Sequence, residues 1–225
     1  VYRRYHCPMA RTILLGEKNQ KKIDTMKATN EALDAGITEI IIITSPGKEA
    51  IERYFNCSPI FEQHLEKNGD ESLLLEMRRL SSMADFRFVT QHDPLGLGHA
   101  ILVAKEMVGR EPFAVMLPDD IVRNEQGLLS QLFDAGRDLN GGIVAVERVS
   151  WEDVGKYGVI DSFEIYDKHH KVLDLVEKPM PSNAPSNLAV VGRYILPPEI
   201  FGYFCLLYTS PSPRDATLSR FPWYA

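Results

Sequence analysis

The sequence predicts an α/β protein built on a mostly parallel sheet, with a small antiparallel part in its C-terminal half. Three observations predict it. From Thr38 onward, short β-branched runs alternate with amphipathic helical stretches. Runs such as Ile40 to Ile43 are continuously apolar, as strands buried on both faces are. After Val149 the texture changes to short β-rich pieces separated by Asp, Lys, Pro, Ser and Asn, which reads as an antiparallel addition.

The elements follow in order. Thr38 to Thr44 is a strand that ends at Ser45, Pro46 and Gly47, and Lys48 to Phe55 has a helical pattern. Leu73, Met77, Leu80 and Ala84 fall on one face of a further helix, ahead of a short strand from Phe86 to Thr90. Gly96 and Gly98 open a helix whose apolar stripe is Ala100, Val103, Ala104, Met107 and Val108, with Gly109 as its stop. Strand Phe113 to Leu117, a helix over about 127–137 and strand Ile143 to Val146 complete a β-α-β-α-β series. Gly158 to Asp161, Val172 to Val176 and Leu188 to Leu196 are the strands of the antiparallel part. PPEIFGYF then begins like a helix with proline in its first turn.

Composition narrows the functional classes. The 225 residues are 44% hydrophobic, enough for a packed core, and no apolar run approaches the ~20 residues of a membrane helix. No apolar leader block opens the chain, so no membrane association and a cytoplasmic setting are expected. Cys7, Cys57 and Cys205 share no metal-ligand spacing and, being few and odd in number, do not form a disulfide framework. The net charge of −6 is uneven. Residues 1–30 carry seven of the 25 basic residues and two of the 31 acids, and residues 205–225 carry two and one, leaving 16 basic against 28 acidic in between. That acidic middle disfavours nucleic-acid binding, which needs basic grooves, and the scattered basic front has no Arg-rich or Gly-aromatic repeat. A phosphate ligand would have to be met by a few placed groups and a metal.

The glycines invite phosphate-loop readings, and none survives. Gly47-Lys48 has Ile42 where a P-loop needs its first glycine and Glu49 where it needs Ser or Thr. The run from Gly96 to Ile101 lacks the third glycine of a dinucleotide fingerprint. A kinase arrangement fails because the Gly-x-Gly follows the first strands and no catalytic loop is present. What remains is an ordered series: TQHDPLGLGHA, LPDD, KYGVID, VEKP and SNLAVVGRYIL, each near a strand end. Open α/β sheets bind ligands beyond the carboxyl ends of their strands, where Gln91, the Gly96 loop and Asp119 fall. Gln91 offers an amide donor and acceptor suited to a base edge, or is a solvated loop amide. Gly96 and Gly98 either admit a flat base against the backbone, with helix-start potential behind it, or simply make a turn. Asp119, after a buried strand and Pro118, is placed to hold a hard cation or to cap a helix, and Asp120 either supports it from behind or, more simply, caps the helix. Glu177 and Lys178 sit adjacent at a strand end, with diverging side chains, or form a surface ion pair before Pro179. Gly158 marks a close approach or a bulge. His99 reads as structural.

In the order and spacing of these motifs, and in EALDAGITEIIIITSPGKEAIERYF, the chain resembles the bacterial UTP-glucose-1-phosphate uridylyltransferases over about three quarters of its length, ending near PPEIF. The resemblance implies a Rossmann-like three-layer nucleotidyltransferase fold whose antiparallel part faces the sugar. It implies UTP and glucose 1-phosphate as substrates, Mg²⁺ as cofactor and a homo-oligomer. It gives Gln91, Gly96 and Gly98 to the nucleotide, Asp119 to the metal, Gly158 and Glu177 to glucose, and Lys178 to the sugar phosphate. Sibling enzymes using dTTP, and a non-catalytic sugar-nucleotide binding module, are the alternatives.

The ends depart from that pattern. Val1 to Asn30 shows no strand of the expected kind, only the weak apolar run Ile13 to Leu15, and no Gly-x-Gly-Thr-Arg loop. From Cys205 the sequence follows neither helical nor strand period. The expected organisation is therefore a basic segment over 1–30 outside the family pattern, an incomplete nucleotidyltransferase core over 31–204, and a foreign-looking tail over 205–225. With the triphosphate loop and the family's C-terminal interface elements lacking, the chain is expected to fold poorly and to turn over little or not at all.

Overall fold

The computed structural model describes residues 11–15, 22–48, 51–52, 55, 59–120, 127–137, 141–166, 168–209 and 223–224. They form a mixed α/β structure with parallel and antiparallel strands, as the sequence predicts. The chain divides into two compact units, a division the sequence does not announce. One unit comprises residues 1–109 with 116–121, the other residues 110–115 with 122–225.

In the first unit three strands run parallel: β1 (Arg11–Leu15), β2 (Glu39–Thr44) and β3 (Asp85–Thr90), with β2 between the others. Ile41 stands opposite both Ile13 and Arg87. Ile40, Ile41 and Ile42 are wholly buried, as are Ile13 and Leu14. Each such side chain contributes roughly 1.5–3 kcal/mol by leaving water. At the amino ends of these strands, Arg11 donates from Nε to Glu39 Oε2 at 2.8 Å and from Nη1 to the carbonyl of Val108. Arg87 reaches Asp85 at 2.9 Å and Glu39 at 3.7 Å.

Among the described residues these strands are accompanied by helices α1 (Lys22–Asp34), α2 (Pro59–Asn68), α3 (Glu71–Met83), α4 (Leu97–Val103) and α5 (Lys105–Val108). Helix α1 stops because Gly36 adopts a φ of 87°, which lets its N–H reach the Leu33 carbonyl and that of Ile37 reach Ala32. Ile37, 1% exposed, is then delivered into the core just ahead of β2.

Residues 1–30 thus differ from the reading that gave them no strand. Arg11–Leu15, which holds the weak apolar run Ile13 to Leu15, is β1, and α1 crosses the residue-30 boundary. Five residues are too few for a period to stand out, and what makes them a strand is the tertiary partner β2. On α3 the buried residues are Leu74 and Met77, while Leu73 is half-buried and Leu75 exposed. The stripe from Ala100 to Val108 is split between α4 and α5 at Ala104. Of the helix expected over Lys48 to Phe55, residues 49–50 and 53–54 lie outside the described residues, as do Cys7, Cys57 and most of the tail.

The second unit takes β4 (Phe113–Met116) up to Val115, and adds β5 (Gly142–Arg148), β6 (Gly158–Tyr166), β7 (His169–Glu177), β8 (Leu188–Leu196) and β9 (Trp223–Tyr224). β8 is antiparallel to β5, β6 to β7 and β7 to β9, while β9 is parallel to β5. β6 also meets β8 at Val159 and Ala189, so the pairings from β8 through β5, β9, β7 and β6 return to β8. Helix α6 (Leu128–Ala135) packs so closely that a Cβ at Gly136 would lie 2.2 Å from Ile143 Cδ1. Helix α7 (Ile200–Thr209) carries Phe201, whose ring stacks on Phe113 with centroids 5.1 Å apart. It runs past Cys205, where the sequence shows no period, because nearly every residue of the helix is apolar.

Replacing Ile41 by Ala is expected to destabilise the chain by about 2–5 kcal/mol, measured by urea denaturation followed by circular dichroism.

Candidate functional site

The nucleotide residues proposed from the sequence are neighbours in the first unit. Gln91 is the first residue beyond β3, and its N–H donates to the Thr44 carbonyl at 2.8 Å, which ties it to the carboxyl end of β2. Its side chain folds back over the following loop. Nε2 lies 3.0 Å from His99 Nδ1 and 3.4 Å from the Gly96 carbonyl. Gly96 has a φ of 100° and a ψ of −177°, a backbone region closed to residues with a Cβ. An added Cβ would meet nothing within 4 Å, so the glycine is required by its torsion angles and not by space. Gly98 lies within α4 and is half-buried. Leu95 and Leu97 flank Gly96 with their side chains exposed, an apolar surface beside a polar amide.

Asp119 follows β4, whose residues are wholly buried, and buried Pro118, and its side chain is exposed. Among the described residues no three His, Cys, Asp or Glu side chains gather as a metal cage. One exposed carboxylate fits a cation of the magnesium kind, which keeps much of its water and is commonly held by one or two carboxylates plus substrate phosphates. The helix that Asp119 or Asp120 was weighed as capping would start in 121–126, outside the described residues.

In the second unit Gly158, Glu177 and Lys178 come together at the β6–β7 ladder. Gly158 stands opposite Glu177, and a Cβ on Gly158 would lie 3.1 Å from Glu177 Oε2. Lys178 has a φ of 46°, a left-handed conformation that costs a non-glycine residue about 1–2 kcal/mol. Its N–H donates to the Tyr157 carbonyl at 3.0 Å, which holds the turn. This turn overrides strand alternation, so the two side chains do not diverge as expected: Lys178 Nζ is 3.8 Å from Glu177 Oε1. Both side chains are more than 60% exposed, and a pair so exposed contributes little to stability. A cation and a carboxylate are thereby presented side by side to solvent by a strained backbone.

The approach to that turn is organised by Asp153. Its carboxylate accepts from Lys156 Nζ at 2.6 Å and from Ser150 Oγ at 2.9 Å. The bond from Lys156 holds the Asp153 carboxyl below the ordinary carboxylate range, and the same bond raises the Lys156 ammonium. Gly155 in the same segment faces the Pro179 carbonyl, with an added Cβ only 3.3 Å away. Sequence reasoning missed His99 as the partner of Gln91, Tyr157 as the anchor of Lys178 and Gly155 as the bed of Pro179. No periodicity reports contacts made by loop backbone, although Gly155 and Gly158, three apart before a strand, are a visible cue.

A parallel α/β unit with a glycine loop and amide beyond β3, and an exposed carboxylate beyond a buried strand, is what nucleotide-binding α/β proteins present. The chain belongs to the nucleotidyl transferase family, whose profile matches residues 17–219. It is 44% identical over 173 residues to a UTP–glucose-1-phosphate uridylyltransferase of Bacillus subtilis, covering 77% of this chain and 59% of that protein. To a protein of the same name from Pseudomonas aeruginosa it is 43% identical over 176 residues, covering 77% and 63%. The chain thus spans about three fifths of the length of these relatives. Among solved structures it is similar to a UDP-glucose pyrophosphorylase complexed with UDP-glucose, at 30% identity and a TM-score of 0.79 over 96% of this chain and 89% of that one. A UTP-bound UGPase from Acinetobacter baumannii also gives 30% and 0.79, over 96% and 85%.

Lys178→Gly is expected to raise stability by about 0.5–1 kcal/mol, because glycine adopts the left-handed turn without strain while gaining unfolded-state freedom. A shift of the urea midpoint to higher concentration checks it; a fall would mean that the turn is not strained.

Proposed function

We propose that the chain carries the site for transfer of UMP from UTP to glucose 1-phosphate, giving UDP-glucose and pyrophosphate. The observation that carries this reading is the run of uridylyltransferase relatives more than 40% identical over three quarters of the chain. The local geometry agrees with it: an amide acceptor for a base beside Gly96, an exposed carboxylate at Asp119, and a paired cation and carboxylate at Lys178 and Glu177.

In this reading a phosphate oxygen of glucose 1-phosphate attacks the α-phosphorus of UTP. The bond from that phosphorus to the bridging oxygen breaks, and pyrophosphate leaves with the electron pair. The nucleophile is already an anion, so the protein's contribution is position and charge rather than proton transfer. Gln91 and the Gly96 loop, with Gly98 behind it, hold the base. Gly158 admits the sugar against the backbone, Glu177 accepts from its hydroxyls, and Lys178 draws in its phosphate. Asp119 would hold the cofactor, proposed as Mg²⁺, together with the triphosphate. When bound, the cation supplies neutralisation of phosphate charge.

The three cysteines, few and odd in number, favour the cytoplasm as the compartment. Residues 16–21, Gly-Glu-Lys-Asn-Gln-Lys, do not spell the family's Gly-x-Gly-Thr-Arg loop, and we expect turnover by this chain to be far below that of its relatives.

Pyrophosphate release on mixing the chain with UTP, glucose 1-phosphate and magnesium, with UDP-glucose identified by ³¹P NMR, tests the reading. Product from another sugar phosphate, or none together with no UTP binding, would defeat it. In a full-length relative, the substitution matching Lys178→Ala should lower the rate about 100-fold with the fold intact by circular dichroism, and an unchanged rate would remove Lys178 from the site.

A further inference from the structure

We infer that His99 is a positioning residue for nucleotide selection: it fixes the amide of Gln91 so that the carbonyl oxygen, and not the NH₂ group, faces the ligand. The inference rests on the uridylyl reading above for the identity of that ligand. Its starting point is the pair of neighbours around Gln91 Nε2. The Gly96 carbonyl, at 3.4 Å, can only accept a hydrogen bond. His99 Nδ1, at 3.0 Å, completes the arrangement only if that nitrogen is unprotonated and accepts. The nitrogen and oxygen of an amide are told apart by their partners, and here the partners agree. Turning the amide over would set Oε1 against the Gly96 carbonyl, two acceptors face to face. It would also require His99 to carry its proton on Nδ1.

With Nε2 engaged by the loop, Oε1 has no hydrogen-bond partner among the described residues and, on a half-buried side chain, can meet a ligand. Such an acceptor takes the ring N–H of a uracil or thymine imide. It opposes the ring nitrogen of cytosine, which in the same pose is itself an acceptor. Gln91 alone could serve either base by rotating its amide through half a turn. The loop removes that freedom, with the weaker Gly96 contact set by the glycine's φ of 100° and the shorter one by His99. His99 touches no substrate in this arrangement and acts through Gln91, so its loss should alter discrimination and not merely binding strength.

Two measurements on the whole chain test this. In the wild-type protein, the ¹⁵N shifts of the His99 ring should report the tautomer with the proton on Nε2; a proton on Nδ1 would overturn the inference without any variant. Isothermal titration with UTP and with CTP, in magnesium, should then show His99→Phe losing about tenfold in UTP affinity and at least as much of its preference for UTP over CTP. His99→Asn, whose Oδ1 occupies the place of Nδ1 and can accept the same bond, should restore most of both. A purely structural role for His99 would lower the unfolding midpoint and weaken both nucleotides alike, and that outcome overturns the inference. If the wild type binds UTP and His99→Phe keeps the same UTP to CTP ratio, the role of His99 falls while the uridylyl reading stands. If the wild type binds neither nucleotide, the uridylyl reading falls, and with it the assignment of His99 to base selection.

Discussion

The burial of β2 between two parallel partners is the constraint on which the first unit depends. Four consecutive isoleucines leave no polar face, so the strand is stable only where both of its edges are paired and both of its faces covered. β1 and β3 satisfy the edges in register, and Arg11 joins the two ends of that arrangement by bonding Glu39 on β2 and the Val108 carbonyl at the end of α5. Because β3 is parallel to β2, its carboxyl end emerges beside Thr44, and Gln91 continues the ladder for one more bond before the chain turns. The position of the amide is therefore inherited from the packing of isoleucines far below it.

In the second unit the relation between stability and chemistry is reversed. Lys178 occupies a backbone region that a lysine adopts only at a cost, and its ion pair with Glu177 is too exposed and too long to repay it. The turn persists because the Tyr157 carbonyl accepts its N–H and because Gly155 lets the Pro179 carbonyl come close. Strain held in place by neighbouring backbone is a common property of functional turns. It accounts for two glycines, Gly155 and Gly158, on the segment facing this one: side chains there would crowd Pro179 and Glu177 respectively.

Much of this was legible in the sequence because it follows from burial. The apolar runs at Ile40 to Ile43, Phe113 to Met116 and Leu188 to Leu196 announce their strands, and Gly109 announces the end of its helix with a φ of 74°. The order of LGLGHA, LPDD and EKP was enough to mark candidate residues. What the sequence concealed depends on partners distant in the chain. β1 is five residues long and exists because β2 lies beside it. The side chains of Glu177 and Lys178 do not follow strand alternation, because the backbone turns left-handed at Lys178. The contact between Gln91 and His99 spans a loop without period, so no pattern of residues could report it.

The charged residues of β3 have a further consequence. This strand is the outermost of the three parallel strands, and Asp85 and Arg87 are bonded to each other upon it. An outer strand offers unsatisfied backbone groups to any extended peptide that approaches, and paired charges obstruct such an addition. Salt strong enough to screen them would be predicted to favour strand-to-strand association between molecules at this margin, so the ionic medium, and not only the core, governs whether copies of the chain stay apart.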